Sequence, residues 1–204
     1  MAARLTAPEL LVDLALVPGL DHLDVEDDVV RIGAMCRIAG LEHDPRLPGV
    51  LPALVDSAAR IAHPAVRNRS TVGGNVAHAD PASGIPPVLL ALRGEVVLAG
   101  PQGSRTVPAA DLFLGHRRTA TAPDELIVEL RFPRTRAAAG SAFAEISRRG
   151  RGWGLAGACA AVALTDDGRI EDLGLGLLGL GPTAVVATGA ERLARGRTPD
   201  GAAL

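Results

Sequence analysis

The sequence predicts an α+β fold, and three features of its apolar pattern point there. Leu51, Leu54, Val55, Ala58, Ile61 and Ala62 recur at helical spacing. Residues 29–34 and 126–132 are short, β-branched runs bounded by turn residues. Beyond residue 140, three strand-like apolar runs follow one another, with the hairpin signal Asp166-Asp167-Gly168 between the last two. The tract 135–140, small and Ala-rich, separates the mixed first part from the strand-rich second, so the expected units are 1–135 and 140–204.

Taken in order, Pro8 at a first helical turn, then Leu10, Leu11, Leu14 and Val17, predicts a short amphipathic helix stopped by Pro18-Gly19. Residues 20–25 and 29–34 read as strands around the acidic turn Glu26-Asp27-Asp28. The helix through Leu51 and Ala62 closes at His63-Pro64, because a residue before proline is pushed out of the helical region. Thr71-Val72-Gly73-Gly74-Asn75 reads as a tight turn. Residues 86–92 suit a helix and 95–98 a strand, which Gly100-Pro101-Gln102-Gly103 turns back into 105–107. Residues 126–132 form a further strand bounded by Pro133. In the second part, 142–146, 156–164 and 173–180 are strands, and 190–194 begins a helix.

Composition excludes several functions. A formal net charge of −2, with both signs dispersed and no basic block, argues against nucleic acid as a partner. Hydrophobic residues make up 48% but aromatics only 2%, so the core is expected to be Leu, Val, Ile and Ala, with Trp153 the single indole. Cys36 and Cys159 have no C-x-x-C partner, which removes a local zinc or iron–sulfur site and leaves two buried free thiols as the expectation. No run is long enough to span a membrane, and no secretory leader is present, so a cytoplasmic location is expected. His22, His43, His63 and His116 lack metal-ligand spacing, and His78 is expected to be structural or solvent-facing. Asp124-Glu125 reads as a solvated strand start with its carboxylates on opposite faces, and Arg148-Arg149 as a solvated basic edge.

One segment carries chemistry. Adjacent glycines between a β-branched pair and an Asn let a negatively charged group approach backbone N–H donors without meeting a Cβ. An ordinary loop is the plainer reading of those five residues alone. The wider run IAHPAVRNRSTVGGNVAHADPASGIPPVLLAL at 61–92 is more specific. It resembles the second flavin-binding segment of the FAD-binding medium subunits of molybdenum hydroxylases, the carbon monoxide dehydrogenase and xanthine dehydrogenase family. The family's other landmarks follow in order: PELLVDLAL at 8–16, Pro18-Gly19-Leu20, VRIGA at 30–34, LFLG at 112–115, PDELI at 123–127 and Ser147-Arg148-Arg149.

The resemblance implies an FAD-binding module of the PCMH, vanillyl-alcohol-oxidase-like type lacking its first subdomain. An incomplete α+β domain, like the carbon monoxide dehydrogenase flavoprotein C-terminal domain, follows it. Thr71, Val72, Gly73, Gly74 and Asn75 would hold the FAD diphosphate, and Ile127 would place its backbone near the ring system. A second phosphate-binding glycine turn is expected upstream of Pro8 in the family, so the chain is expected to be truncated at both ends. Two family contacts are replaced: Gly84 stands where an acidic residue is common, and Ala144 or Glu145 where a Lys is common. The implied partners are a molybdenum-cofactor large subunit and a [2Fe–2S] small subunit, with the flavin relaying electrons to an external acceptor. No Ser/His/Asp or Cys/His set competes with that reading. Two other functions stay open at this point: a remnant or assembly subunit that binds little FAD, and a stand-alone flavoprotein oxidase.

Overall fold

The computed structural model describes residues 8–134, 139–148 and 153–199. Strands β1 (Leu23–Val25) and β2 (Val29–Gly33) form the expected hairpin, with Leu23 opposite Ile32. On β2, Val30 and Ile32 are fully buried while Arg31 faces away, the alternation of a strand with one wet side. On that wet side Arg31 and His22 both meet the Glu129 carboxylate, at 3.2 and 3.1 Å.

Helix α1 (Ile38–His43) and a 3₁₀ turn at Leu47–Gly49 lead into α2 (Pro52–Arg60). Pro52 suits the first turn of α2, where an N–H has no intrahelical partner to lose. Ala53, Leu54, Ser57 and Ala58 form its buried stripe, as the spacing predicts. The helix ends at Arg60, before the expected stop at His63-Pro64, because the chain leaves helical geometry at Ile61 and Ala62, the latter at φ +45°; Pro64 then opens another short helix, α3 (Pro64–Arg67). Helices α4 (Val72–His78) and α5 (Ile85–Ala91) follow.

Strands β3 (Glu95–Gly100) and β4 (Gly103–Pro108) make a hairpin with Gly100 opposite Gly103. Helix α6 (Ala109–Leu112) and the small hairpin β5 (Phe113–Gly115) and β6 (Arg118–Thr119) come next. Then β7 (Leu126–Pro133) inserts between β2 and β3, closing a five-stranded antiparallel sheet of order β1-β2-β7-β3-β4. The second part supplies β8 (Ala139–Ser147), β9 (Gly154–Leu164), β10 (Ile170–Leu178), β11 (Val185–Val186) and α7 (Thr188–Ala194). Its four-stranded antiparallel sheet runs β11-β10-β9-β8, and Gly168, at φ +78°, turns β9 into β10 as the Asp-Asp-Gly signal predicts.

Every residue of α5 is buried. The helix lies on β10 and β9 with α2, α4 and α6 around it. Contact this close is possible because β10 carries Gly174 and Gly176, where a Cβ would overlap the backbone carbonyls of Ala91 and Pro87. Phe143, Cys159 and Leu178 of the second sheet therefore join one continuous core with Leu54, Leu89 and Leu130.

One expected element does not form. Residues 10–17 are not helical; Leu10 is 77% and Leu16 93% exposed. So short a helix needs tertiary burial of its apolar face, and among the described residues that face stays exposed. Asp13 Oδ1 instead accepts the Ala15 N–H at 2.9 Å, a local turn that competes with helix. The tract 135–140 lies largely outside the described residues, as do Arg149 and residues 201–204. Among the described residues no helix is long and apolar enough to cross a membrane.

Gly176→Ala is expected to destabilise the protein by about 1–3 kcal/mol or more, since the methyl meets backbone that cannot move aside. Gly189→Ala in α7, where the methyl meets nothing within 4 Å, is expected to be neutral or slightly stabilising. Urea unfolding midpoints compare the two.

Candidate functional site

The glycine pair is not a turn between elements, as its composition suggested; it is the first turn of α4. Thr71 has extended backbone and caps the helix, its Oγ1 accepting the Gly74 N–H at 3.2 Å. Neither glycine has positive φ. A capping Thr and a helix-compatible backbone therefore outweigh the turn preference of two glycines.

The two glycines differ in purpose. A Cβ on Gly73 would overlap Ala34, so that glycine serves close packing of α4 on the end of β2. A Cβ on Gly74 would meet only Thr71 Oγ1, at 3.0 Å, and the residue is exposed. Gly74 is thus the position where an external group can reach backbone. The amides follow the same division. Val72 donates to Cys36 O and Gly73 to Ala34 O, both at 2.9 Å, while Asn75 donates to Thr71 O at 3.0 Å. Of these four residues' amides, only that of Gly74 bonds to a side chain, one that can rotate away. The row of open N–H donors expected from the sequence reduces to Gly74 with the Thr71 hydroxyl and Asn75 side chain beside it.

After α4 the chain turns through Ala79, at φ +46°, and is then held from several sides. Asp80 is buried; it accepts the Ala82 N–H at 3.0 Å and the Arg117 guanidinium at 2.8 Å. Burial opposes ionisation of Asp80, but the Ala82 N–H and Arg117 outweigh it and hold the carboxyl below its ordinary range. Ser83 Oγ donates to Asn75 Oδ1 at 2.6 Å, tying the turn back to the glycine segment. Between this turn, the end of α2 and β8 lies a pocket of about 470 Å³. Ile61, Val66 and Trp153 give it apolar walls, and Asn75, Ser83, His78 and Glu145 converge on it as polar groups. Its size and mixed lining suit a small organic ligand or a ring of one.

The sequence-selected residues are only partly united there. Asn75 lines the pocket, while Thr71, Val72, Gly73 and Gly74 lie just before it on the same segment. Ile127 is buried on β7 and does not line it. It is linked to the glycine segment through backbone: Ala34 donates to Val128 O at 2.9 Å, and Gly73 to Ala34 O at 2.9 Å. Gly84 sits where a Cβ would lie 2.5 Å from Ser57 Oγ and 3.0 Å from Phe143 Cζ, so a carboxylate side chain has no room there. Strand alternation puts Glu145 on the Phe143 side of β8, into the pocket, and Ala144 on the other, exposed side.

His78 is exposed at the pocket edge. Asp124-Glu125 lie in a turn before β7 rather than on the strand, and Glu125 is held down to about 2, chiefly by Arg105 and then the Ala122 N–H. Arg148 is exposed. Cys159 is buried, as expected, whereas Cys36 is only half-buried and donates to His22 O at 3.0 Å. Burial first, and then nearby Asp21 and Asp56 respectively, push Cys36 up to about 11 and Cys159 to about 12, so neither thiol is an activated nucleophile. Among the described residues no group of His, Cys, Asp and Glu is arranged to hold a metal. Ser83 and Trp153 escaped sequence reasoning. Only Trp153, the single indole, carried a signal, and its place depended on how β8 and β9 pair.

Two family patterns cover this architecture. The FAD binding domain in molybdopterin dehydrogenase matches residues 1–135, and the CO dehydrogenase flavoprotein C-terminal domain matches residues 141–204. The chain belongs to this family of FAD-binding medium subunits of molybdenum hydroxylases. It is 40% identical over 190 residues to the 6-hydroxypseudooxynicotine dehydrogenase complex subunit alpha of Paenarthrobacter nicotinovorans, covering 93% of this chain and 64% of the relative. It is 36% identical over 185 residues to the carbon monoxide dehydrogenase medium chain of Hydrogenophaga pseudoflava, covering 91% and 64%. The chain thus spans about two thirds or less of these relatives' length. In three dimensions it is similar to the crystallised carbon monoxide dehydrogenase of Hydrogenophaga pseudoflava, with a TM-score of 0.93 at 35% identity, covering 98% of this chain and 70% of that one. Quinoline 2-oxidoreductase from Pseudomonas putida 86 gives a TM-score of 0.91 at 31% identity, covering 99% and 70%. The family's cofactor is FAD. The residues present fit part of it: an open backbone approach at Gly74 continues, through Asn75, into a ring-sized pocket.

Gly73→Ala is expected to lower the unfolding midpoint clearly, and Gly74→Ala to leave it unchanged or higher, because only the first methyl meets packed backbone. Asp80→Asn tests the buried pair through pH. A carboxyl whose folded value is depressed stabilises the fold above its unfolded value and loses that stability as pH falls through the folded one. Thermal melts are expected to show Asp80→Asn below wild type at neutral pH, with the gap closing in acid below the carboxylate range.

Proposed function

We propose that this chain is the flavin-holding part of a molybdenum hydroxylase, relaying electrons from [2Fe–2S] clusters to an external acceptor. The observation that carries the reading is the double position of Asn75: it ends the glycine segment and lines the pocket, and Ser83 fixes its side chain. In this reading Gly74 N–H and the Thr71 hydroxyl meet the FAD diphosphate. The neighbouring partial charges of Asn75 help to orient it, since each charge-assisted hydrogen bond is worth about 1.5–3 kcal/mol. Val72 and Gly73 act indirectly, by seating the segment on Cys36 and Ala34. Ile127 supports it from beneath, by packing β7 so that Val128 O can hold Ala34. The pocket offers a ring the apolar walls Ile61, Val66 and Trp153 and presents Ser83, His78 and Glu145 at its edge.

When bound, FAD supplies the redox centre; the protein supplies position and electrostatics. The partners implied are a large subunit carrying the molybdenum cofactor and a small subunit carrying two [2Fe–2S] clusters, and the substrate is selected in the large one. The relatives' printed names support this setting: one is a subunit of a dehydrogenase complex and another the medium chain of carbon monoxide dehydrogenase. These likenesses do not favour the alternative of a remnant without cofactor.

The purified chain, together with any subunits that copurify, is expected to keep a visible flavin band near one FAD per chain after incubation with FAD and desalting. Gly74→Ala is expected to weaken FAD retention at least tenfold while leaving the fold intact. A wild-type preparation that emerges colourless would overturn the reading.

A further inference from the structure

The pocket wall carries two carboxylates with different surroundings. Asp80 is fully engaged by Ala82 and Arg117 and points its charge into that pair. Glu145 is half-buried, lines the pocket from β8, and makes no hydrogen bond or ion pair among the described residues. Its Oε2 lies over Gly154 of β9, at the place a Cβ there would come within 3.0 Å. A side chain at 154 would therefore push this carboxyl out of its place.

We propose that Glu145 is the residue that sets the reduction potential of the ring held in this pocket, a fixed negative charge beside it that favours the oxidised form. The proposal rests on the flavin reading of the pocket. Two electrons and one proton added to a flavin ring leave one net negative charge on it. A carboxylate sharing the same pocket repels that charge, so the oxidised, neutral ring is held in preference. No proton or electron passes through Glu145; it acts only by its charge.

The groups facing Glu145 determine when that charge is present. From α2 comes Arg60; Asp56, one turn earlier on the same helix, lies outside the pocket lining, its carboxylate accepting the Phe143 N–H at 3.4 Å. His63 lies beyond the helix end, His78 on α4, and Asp80 in the following turn, neutralised by Arg117. Burial pushes Glu145 above its ordinary value, with Arg60 pulling the other way. The repulsion therefore operates above that raised value and fades as pH falls through it.

The test is the reduction potential of FAD on the full chain, with any subunits that copurify, read against a reference dye at several pH values. Glu145→Gln keeps the shape and removes the charge; Glu145→Asp keeps the charge. At pH 8 the Gln variant is expected to shift upward by at least a tenfold change in the reduced-to-oxidised ratio, about 30 mV for a two-electron couple. That gap is expected to shrink as pH falls, and the Asp variant to stay near wild type. Urea midpoints and FAD stoichiometry check that both variants fold and load. An unchanged potential in the Gln variant, a shift that does not vary with pH, or an Asp variant that behaves like Gln would each overturn the role of Glu145 and leave the flavin site standing. A wild-type chain that holds no FAD would overturn the site itself.

Discussion

The rest of the architecture depends on the close seating of α5 against β10. A helix buried on every side must have its backbone within reach of its neighbours, and two glycines on one strand face allow it. Gly174 and Gly176 lie two residues apart, so they point the same way and meet Ala91 and Pro87, roughly one helical turn apart. That contact joins the second sheet to the helices that carry the site. It also places Phe143 under Gly84, at the start of α5, so that the pocket floor and the core are the same object.

The site shows a division of labour between two adjacent glycines. Gly73 is small because Ala34 is close, whereas Gly74 is small where nothing but the capping Thr71 is near. Only the second is placed to admit a ligand to the backbone. The segment is positioned by a ladder that begins on β7 at Val128, passes through Ala34 and ends on Gly73. Below it, Asp80 and Arg117 lock the turn that presents Ser83 to Asn75. Positioning of this kind is what a cofactor-holding protein must supply, because the redox chemistry belongs to the cofactor.

Most strands and the longer helices were legible because their apolar period was complete within a few residues. Residues 156–164 and the Asp-Asp-Gly turn read correctly for that reason. Residues 10–17 are not helical although their pattern is amphipathic, because their apolar side chains stay exposed; periodicity describes a face, not what covers it. The glycine segment is helical where its composition suggests a turn, since Thr71 caps a helix that two glycines alone would not announce. Ile127, which only the family resemblance singles out, lies in the core and reaches the segment only through its neighbours.

By itself the sequence determined the local pattern: which runs alternate, where two glycines stand side by side, and which family shares the order of landmarks. Those are properties of neighbours along the chain, and short-range sterics and hydrogen bonding set them. Tertiary structure alone decided which of Ala144 and Glu145 faces the pocket, why Gly84 excludes a carboxylate, and which amides are free to bind. Each of these depends on groups far apart in the chain meeting across two sheets, and strand pairing and helix seating, not local pattern, bring them together.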